Sequence, residues 1–500
     1  MLPWIDIQGF NYTYPGGEAP VLNNINLSIE KGAFVVITGP SGCGKSTLGK
    51  ALAGFLFQDE VPNYKGKIIV NHIDMSQIPL FHASERVAYV QQNPEDQFCT
   101  LSVLDEIAFG LENRCLQPEL IERRIDETLK IVNGLELKGR LLAELSGGEK
   151  QKVAIATMIA LSPDVLILDE PTSNLDPNAT QNVFETLHAL RKLKDLTVII
   201  IEHKLSQLLP FDPDLVLMAE GKIISERRLS GYIPHQDFKR VAKDFQQHRS
   251  VRSNQPLLDI SHLYVRLGGQ EILHDICMSF YPGEFVALMG PNGSGKSTLL
   301  NTIMGFHRPE SGQLMGFGKD LFQAKTSALV EDIGFIFQNP DHQLFTQSVW
   351  DEATLTIKNL HLLDKEHVAK AKSFLKETGL AERFDDHPQQ LSYGEKRRLN
   401  LIAVILHNPK LLLVDEFLIG QDMHNAHKWM YTLRSYAAEG HTILFVNHHA
   451  DLTLAYCERL IFLDAGRKII DAQVTTAFDK LAKIGFRSFL PRGQEGPVYA

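Results

Sequence analysis

The 500-residue sequence is short of cysteine and has no long apolar run. Its five cysteines, Cys43, Cys99, Cys115, Cys277 and Cys457, are scattered and form no Cys-x-x-Cys pair. That argues against a disulfide frame or a zinc knuckle and fits a reducing compartment. No stretch approaches the roughly 18 consecutive apolar residues of a spanning helix, so the chain is not expected to cross a bilayer. The opening Met1-Leu2-Pro3-Trp4 lacks the basic and apolar regions of a secretory signal. The formal net charge of −10 speaks against nucleic acid as the main partner.

What the sequence does have, it has twice. A glycine-rich loop reads Gly39-Pro40-Ser41-Gly42-Cys43-Gly44-Lys45-Ser46-Thr47 and recurs as Gly290-Pro291-Asn292-Gly293-Ser294-Gly295-Lys296-Ser297-Thr298. Each copy follows an apolar run, 34–37 or 285–289, and precedes a helix-compatible stretch. Strand, glycine-rich loop, helix is the context of a phosphate-binding loop. Its glycines let backbone N–H groups converge on an anion, and the helix N-terminus adds its dipole. Lys45 and Lys296 are expected to reach the terminal phosphates, and Ser46 and Ser297 to offer a hydroxyl to Mg²⁺. Cys43, beside Lys45 and a helix N-terminus, is expected to lean toward the thiolate.

The duplication extends well beyond these loops. The interval between copies is 251 residues at Lys45/Lys296, 246 at Ser146/Ser392 and at Glu170/Glu416, and 245 at His203/His448. One domain has therefore been duplicated. The first is placed at 1–232, a polar linker at 233–254, the second at 255–474 and a tail at 475–500. In each half an apolar run ends in two acids, Asp169-Glu170 and Asp415-Glu416. A buried strand delivering paired carboxylates suits phosphoryl transfer, the first acid holding Mg²⁺ and the second polarising the attacking water. Leu145-Ser146-Gly147-Gly148-Glu149 precedes a helix-compatible segment and offers a second anion-binding element.

With these motifs together, the chain resembles an ABC-type ATPase over nearly all of both halves. The resemblance implies an α/β fold of two tandem ABC nucleotide-binding domains, each a P-loop NTPase (RecA-like) core with a β subdomain and a helical subdomain. It implies ATP with Mg²⁺, and head-to-tail pairing of one domain's phosphate loop with the other's signature, Ser146-Gly147-Gly148 or Ser392-Tyr393-Gly394. Gln92 and Gln338 match the residue that senses the γ-phosphate and reaches Mg²⁺. His203 and His448 match the switch histidine, and Asp176 and Asp422 the loop that crosses the domain interface. Tyr14 fits the aromatic that stacks on adenine, with Tyr12 as its rival. The second half departs from the pattern at Tyr393, at Phe417 in place of Pro171, and at Leu267 or Val265 near the adenine position, where Tyr264 is a substitute.

Gln92-Asn93-Pro94-Glu95-Asp96-Gln97 and Gln338-Asn339-Pro340-Asp341-His342-Gln343 resemble the ATPases of energy-coupling factor transporters, closest to the fused type linked to thiamine or its hydroxymethylpyrimidine (HMP) precursor. Cobalt or nickel is the other cargo of that group. The resemblance implies a membrane coupling protein and a substrate-binding membrane subunit as partners, with the chain peripheral at the cytoplasmic face. Ser102 to Asp105 and Ser348 to Asp351 read as helix-starting capping boxes. Val103, Ile107, Phe109, Val349 and Trp350 on those helices are candidates for a groove that takes a partner helix. A fused sugar-importer ATPase and a ribosome-associated ABC protein are the rival readings. The short linker and acidic charge disfavour the latter.

Overall fold

The computed structural model describes residues 3–17, 19–58, 63–173, 175–231, 255–418, 421 and 423–491. The linker 233–254 and Asp422 lie outside the described residues. The chain forms two compact units dividing near residue 235.

In the first unit, a six-stranded sheet runs in the order Lys222–Arg228, Asp214–Ala219, Phe34–Thr38, Thr197–Ile201, Val165–Asp169, Val87–Val90. Only the edge strand Lys222–Arg228 pairs antiparallel; the other five are parallel. Phe34–Thr38, Val165–Asp169 and Thr197–Ile201 are covered on both faces, so each reads as an unbroken apolar run instead of an alternation. In the strand Ile5–Tyr12, by contrast, Ile5, Ile7, Phe10 and Tyr12 are buried and the residues between them are not. That strand lies in a separate four-stranded antiparallel sheet with Leu22–Ile29, Tyr64–Val70 and Ile73–Asp74. Helices Val103–Glu112, Pro118–Ile131 and Gly147–Ala160 form a third, helical region.

The second unit repeats this plan. Its six-stranded sheet is ordered Ile333–Ile336, Leu411–Asp415, Thr442–Val446, Phe285–Met289, Arg459–Asp464, Arg467–Gln473. Its antiparallel sheet holds Leu258–Leu267, Gln270–Phe280, Ser311–Gly316 and Lys319–Asp320. The helix Val474–Lys483 buries Phe478 and Leu481, and Phe489 packs edge-on against Phe462. Residues read from the sequence as a tail thus add to this core.

The strand order positions the chemistry. In each core sheet the acid strand, the histidine strand and the phosphate-loop strand are consecutive and parallel. Their carboxyl ends therefore open on one edge, where open α/β sheets place their ligands.

Candidate nucleotide site

Each phosphate loop is held by glycines that no other residue could replace. Gly39 has φ 153°, and a Cβ there would sit 2.0 Å from the Met218 carbonyl oxygen. Gly290 has φ 148°, with the Leu463 carbonyl 2.1 Å from the same point. By contrast, a Cβ on Gly42 or Gly293 would meet nothing within 4 Å. One side of the loop is thus packed on the sheet and the other is open. Lys45 Nζ donates to the carbonyls of Gly39 and Pro40, both at 2.9 Å. Lys296 Nζ donates to those of Gly290 and Pro291 at 2.9 and 2.8 Å. Both ammonium groups arch over their own loop, and both loops end at a helix N-terminus, Lys45–Leu52 or Lys296–Ile303.

Beside each loop stand the two acids. Ser46 Oγ donates to Asp169 Oδ1 at 3.1 Å, and Tyr89 Oη donates to Asp169 Oδ2 at 2.6 Å. Glu170 sits at a positive φ of 45°, and its N–H bonds the Ile201 carbonyl at 2.9 Å. This turn swings its carboxylate to Gln92 Nε2 at 2.8 Å and His203 Nε2 at 3.2 Å. The second unit reproduces the turn: Glu416 has φ 46°, with Gln338 Nε2 at 2.6 Å and His448 Nε2 at 3.0 Å. Loop lysine, paired acids, glutamine and histidine thus form one cluster per unit. Tyr89 went unseen in the sequence because nothing local marks it. Only the pairing of Val87–Val90 with Val165–Asp169 brings it to the acid.

The two carboxyls of the first pair differ electrically. Burial raises Asp169 above the ordinary carboxylate range, although Tyr89 and Ser46 pull the other way. Burial would raise Glu170 too, but the His203 hydrogen bond and charge, with Lys45 and Lys204, hold it below its usual value. Asp415 is pushed up to about 6 by burial and then by the charge of Glu416. Phe335 stands where the first unit has Tyr89, and Asp415 Oδ1 is buried without a hydrogen-bond partner among the described residues. The buried carboxylates of Asp169 and Asp415, with the more accessible serine hydroxyls and glutamine amide oxygens, form a hard donor set that fits Mg²⁺.

A family description, ABC transporter, matches residues 22–173 and 273–418. A Methanosarcina mazei protein named "Putative ABC transporter ATP-binding protein" is 33% identical over 95% of this chain and 90% of its own length. The chain belongs to the ABC transporter ATP-binding family, with two family regions in tandem. A Bacillus subtilis (strain 168) relative, "Putative HMP/thiamine import ATP-binding protein YkoD", is 32% identical over 92% of this chain and 89% of its own. Among solved structures, cbiO1 from Clostridium perfringens, described as part of the ABC transporter complex cbiONQ, is 29% identical over 49% of this chain and 97% of its own, with a TM-score of 0.43.

The remaining motif residues of this ABC protein fall outside the acid clusters. Ser146 and Ser392 are N-caps of Gly147–Ala160 and Tyr393–Ile405. Each closes a reciprocal capping box, with Glu149 or Glu395 accepting from its serine's N–H at 2.8 Å. Gly147, Gly148 and Gly394 belong to the first turns so capped. Asp176 is buried and caps Pro177–Lys194 through the Ala179 N–H at 2.8 Å. Tyr14 is 41% exposed and its hydroxyl lies 3.2 Å from Thr47 Oγ1, whereas Tyr12 is buried beneath it. In the second unit Val265 is core, and Tyr264 lies on the strand face opposite Leu263 and Val265, away from the position of Leu267.

Two expectations are corrected. Cys43 does not lean toward the thiolate: it is 5% exposed, and burial raises its pKa more strongly than Lys45 lowers it. Val103, Ile107 and Val349 cannot face a partner helix, because all three are fully buried. Leu101, Leu104, Phe109 and Phe345 are the exposed apolar residues of those segments. Buried Glu106 pins the approach to the first helix by accepting from the N–H groups of Cys99 and Thr100 at 3.0 and 2.9 Å. Glu352 does the same for Phe345 and Thr346 at 2.9 and 2.8 Å.

Proposed function

We propose that this ABC protein binds and hydrolyses ATP with Mg²⁺ in both halves and energises import of HMP or thiamine through an energy-coupling factor transporter. The similarity to the Bacillus subtilis protein named for HMP/thiamine import, which spans both halves, carries this reading. The paired Gln-Asn-Pro-acidic segments support it. Domains 1–232 and 255–474, joined by 233–254, would work as a head-to-tail pair. Their partners would be a membrane coupling protein and a substrate-binding membrane subunit, with the chain peripheral at the cytoplasmic face. Among the described residues no helix is long and apolar enough to cross a membrane.

In this reading the N–H groups of 39–47 and 290–298 cradle the phosphates, and Lys45 and Lys296 leave their loop carbonyls for the terminal ones. Ser46, Asp169 and Gln92 in one half, and Ser297, Asp415 and Gln338 in the other, would hold Mg²⁺. The metal, when bound, supplies positive charge to the phosphate oxygens. Glu170 and Glu416 orient and polarise water, His203 and His448 fix those carboxylates, and Tyr14 stacks on adenine. Ser146, Gly147, Gly148, Ser392 and Gly394 offer a helix-terminal anion site.

Uptake of labelled HMP and thiamine in the native host tests the reading. Deleting the chain should abolish uptake, and the wild type should restore it where Lys45→Ala/Lys296→Ala does not. Uptake that persists without the chain overturns the cargo assignment.

A further inference from the structure

Besides Phe335 in place of Tyr89, three further positions distinguish the second unit from the first near its acids. Tyr393, Arg397 and Phe417 stand where the first unit has Gly147, Gln151 and Pro171. Tyr393 and Arg397 lie one turn apart on the helix Tyr393–Ile405, Phe417 follows the acid strand, and the three converge on one point. Arg397 is 2% exposed, and its guanidinium lies under the Tyr393 ring at 4.9 Å and near the Phe417 ring at 5.9 Å. Nη1 donates to the Glu416 carbonyl at 3.0 Å; Nη2 donates to the Gln338 carbonyl at 2.7 Å and to Tyr393 Oη at 2.8 Å. Phe417 is itself braced edge-on by Trp429 at 5.8 Å.

We propose that Tyr393, Arg397 and Phe417 form a clamp that positions Glu416 and Gln338, the two side chains meeting at 2.6 Å in the second acid cluster. The inference rests on the hydrolysis reading and adds positioning residues to it. The planar guanidinium bridges two main-chain carbonyls with its fork while lying over two rings, a geometry that a lysine ammonium cannot reproduce. Its acceptors are the backbones of the two residues whose side chains must meet, so the clamp acts through them. It also ties the start of the signature helix, through Tyr393, to the end of the acid strand. The first unit does this differently: the Glu170 carbonyl accepts from Ser173 N–H at 3.1 Å, and buried Gln151 leaves its Nε2 without a partner among the described residues. The tyrosine in the second signature is therefore one part of a three-residue exchange. Its hydroxyl is turned back onto its own domain.

The test uses the full chain carrying Glu170→Gln, so that turnover reports Glu416. Arg397→Gln and Arg397→Lys should each lower kcat about tenfold while nucleotide KM stays within about twofold. Backbone hydrogen exchange without nucleotide should quicken at 336–340 and 415–418 and stay unchanged in the strand Phe285–Met289. The triple variant Tyr393→Gly/Arg397→Gln/Phe417→Pro, which installs the first unit's set, should recover turnover to within about threefold of its parent. The clamp is overturned if Arg397→Gln leaves kcat and exchange unchanged. It is also overturned if exchange quickens throughout the unit, or if the three single losses simply multiply in the triple variant. Adding Glu416→Gln with no further loss of turnover would instead defeat the hydrolysis reading. The exchange pattern, read without nucleotide, decides on the clamp independently.

Discussion

Asp169 and Glu170 are neighbours in sequence and opposites in electrostatics: burial raises one, and cationic neighbours hold the other low. The raised acid has a hydroxyl partner and suits a cation; the lowered acid is ionised and faces His203 and Gln92. Replacing the second acid should therefore stop chemistry and spare binding. Glu170→Gln/Glu416→Gln is expected to slow ATP turnover in the assembled transporter about 10²-fold or more, with nucleotide affinity retained. Lys45→Ala/Lys296→Ala should weaken affinity instead, and equilibrium binding beside steady-state rates separates the two. Cys43 supplies a second residue-scale expectation. Because its thiol is buried and its pKa raised, maleimide should modify exposed Cys99 and Cys115 first. Peptide mapping that finds Cys43 labelled fastest in the nucleotide-free protein would refute this. Lys45, Glu170 and His203 were legible because each sits in a motif at a fixed distance from the others. Tyr89 and Arg397 were not, since their partners come from other strands and helices and no local pattern announces the pairing.

Among the elements, the segments entering Val103–Glu112 and Val349–Asn359 show what a pattern can and cannot say. Their starts were legible: Ser102 and Ser348 accept from the Asp105 and Asp351 N–H groups at 3.2 and 3.1 Å. Their orientation was not. An apolar residue at helical spacing faces either the core or a partner, and only packing decides which. Val103 and Val349 went to the core, whereas Leu101 and Phe345 are 82% and 72% exposed on loops fastened by Glu106 and Glu352. On the proposed transporter reading, Leu101→Asp/Phe345→Asp should therefore leave the melting temperature unchanged and release the chain from membranes that contain the proposed coupling protein. Val103→Asp should instead unfold the helical region, since a charge buried in that core costs on the order of 4 kcal/mol. Sedimentation with membranes, read beside thermal melts, distinguishes docking from folding. Retention of the stably folded double variant would exclude this surface.

Across the whole molecule, duplication preserved the strand order, both phosphate loops and the strained turns at Glu170 and Glu416. It exchanged the polar support around them, removing the Asp169 phenol and adding the Arg397 guanidinium. That much of the repeat was visible in the sequence as constant spacing; the consequences of single exchanges, such as Tyr89 to Phe335, needed the fold. The exchange leaves Asp415 without the phenol that Asp169 enjoys, and its folded-state pKa is about 6 against an ordinary 3.8. Between those values the native state binds more protons than the unfolded chain. Stability linked to Asp415 is thus fully present below the ordinary carboxylate value and is lost as pH rises through about 6. In the absence of Mg²⁺ and nucleotide, wild type should lose stability relative to Asp415→Asn across this window, and the gap should level off above it. Phe335→Tyr, by donating a hydroxyl to the carboxylate, should shrink the gap. Mg²⁺ with nucleotide should remove it, because a cation stabilises the ionised form. Denaturant unfolding of the full-length variants at a series of pH values measures the gap directly. A constant difference between wild type and Asp415→Asn from pH about 4 to about 7 would show that Asp415 titrates as an ordinary carboxylate despite its burial and the missing phenol.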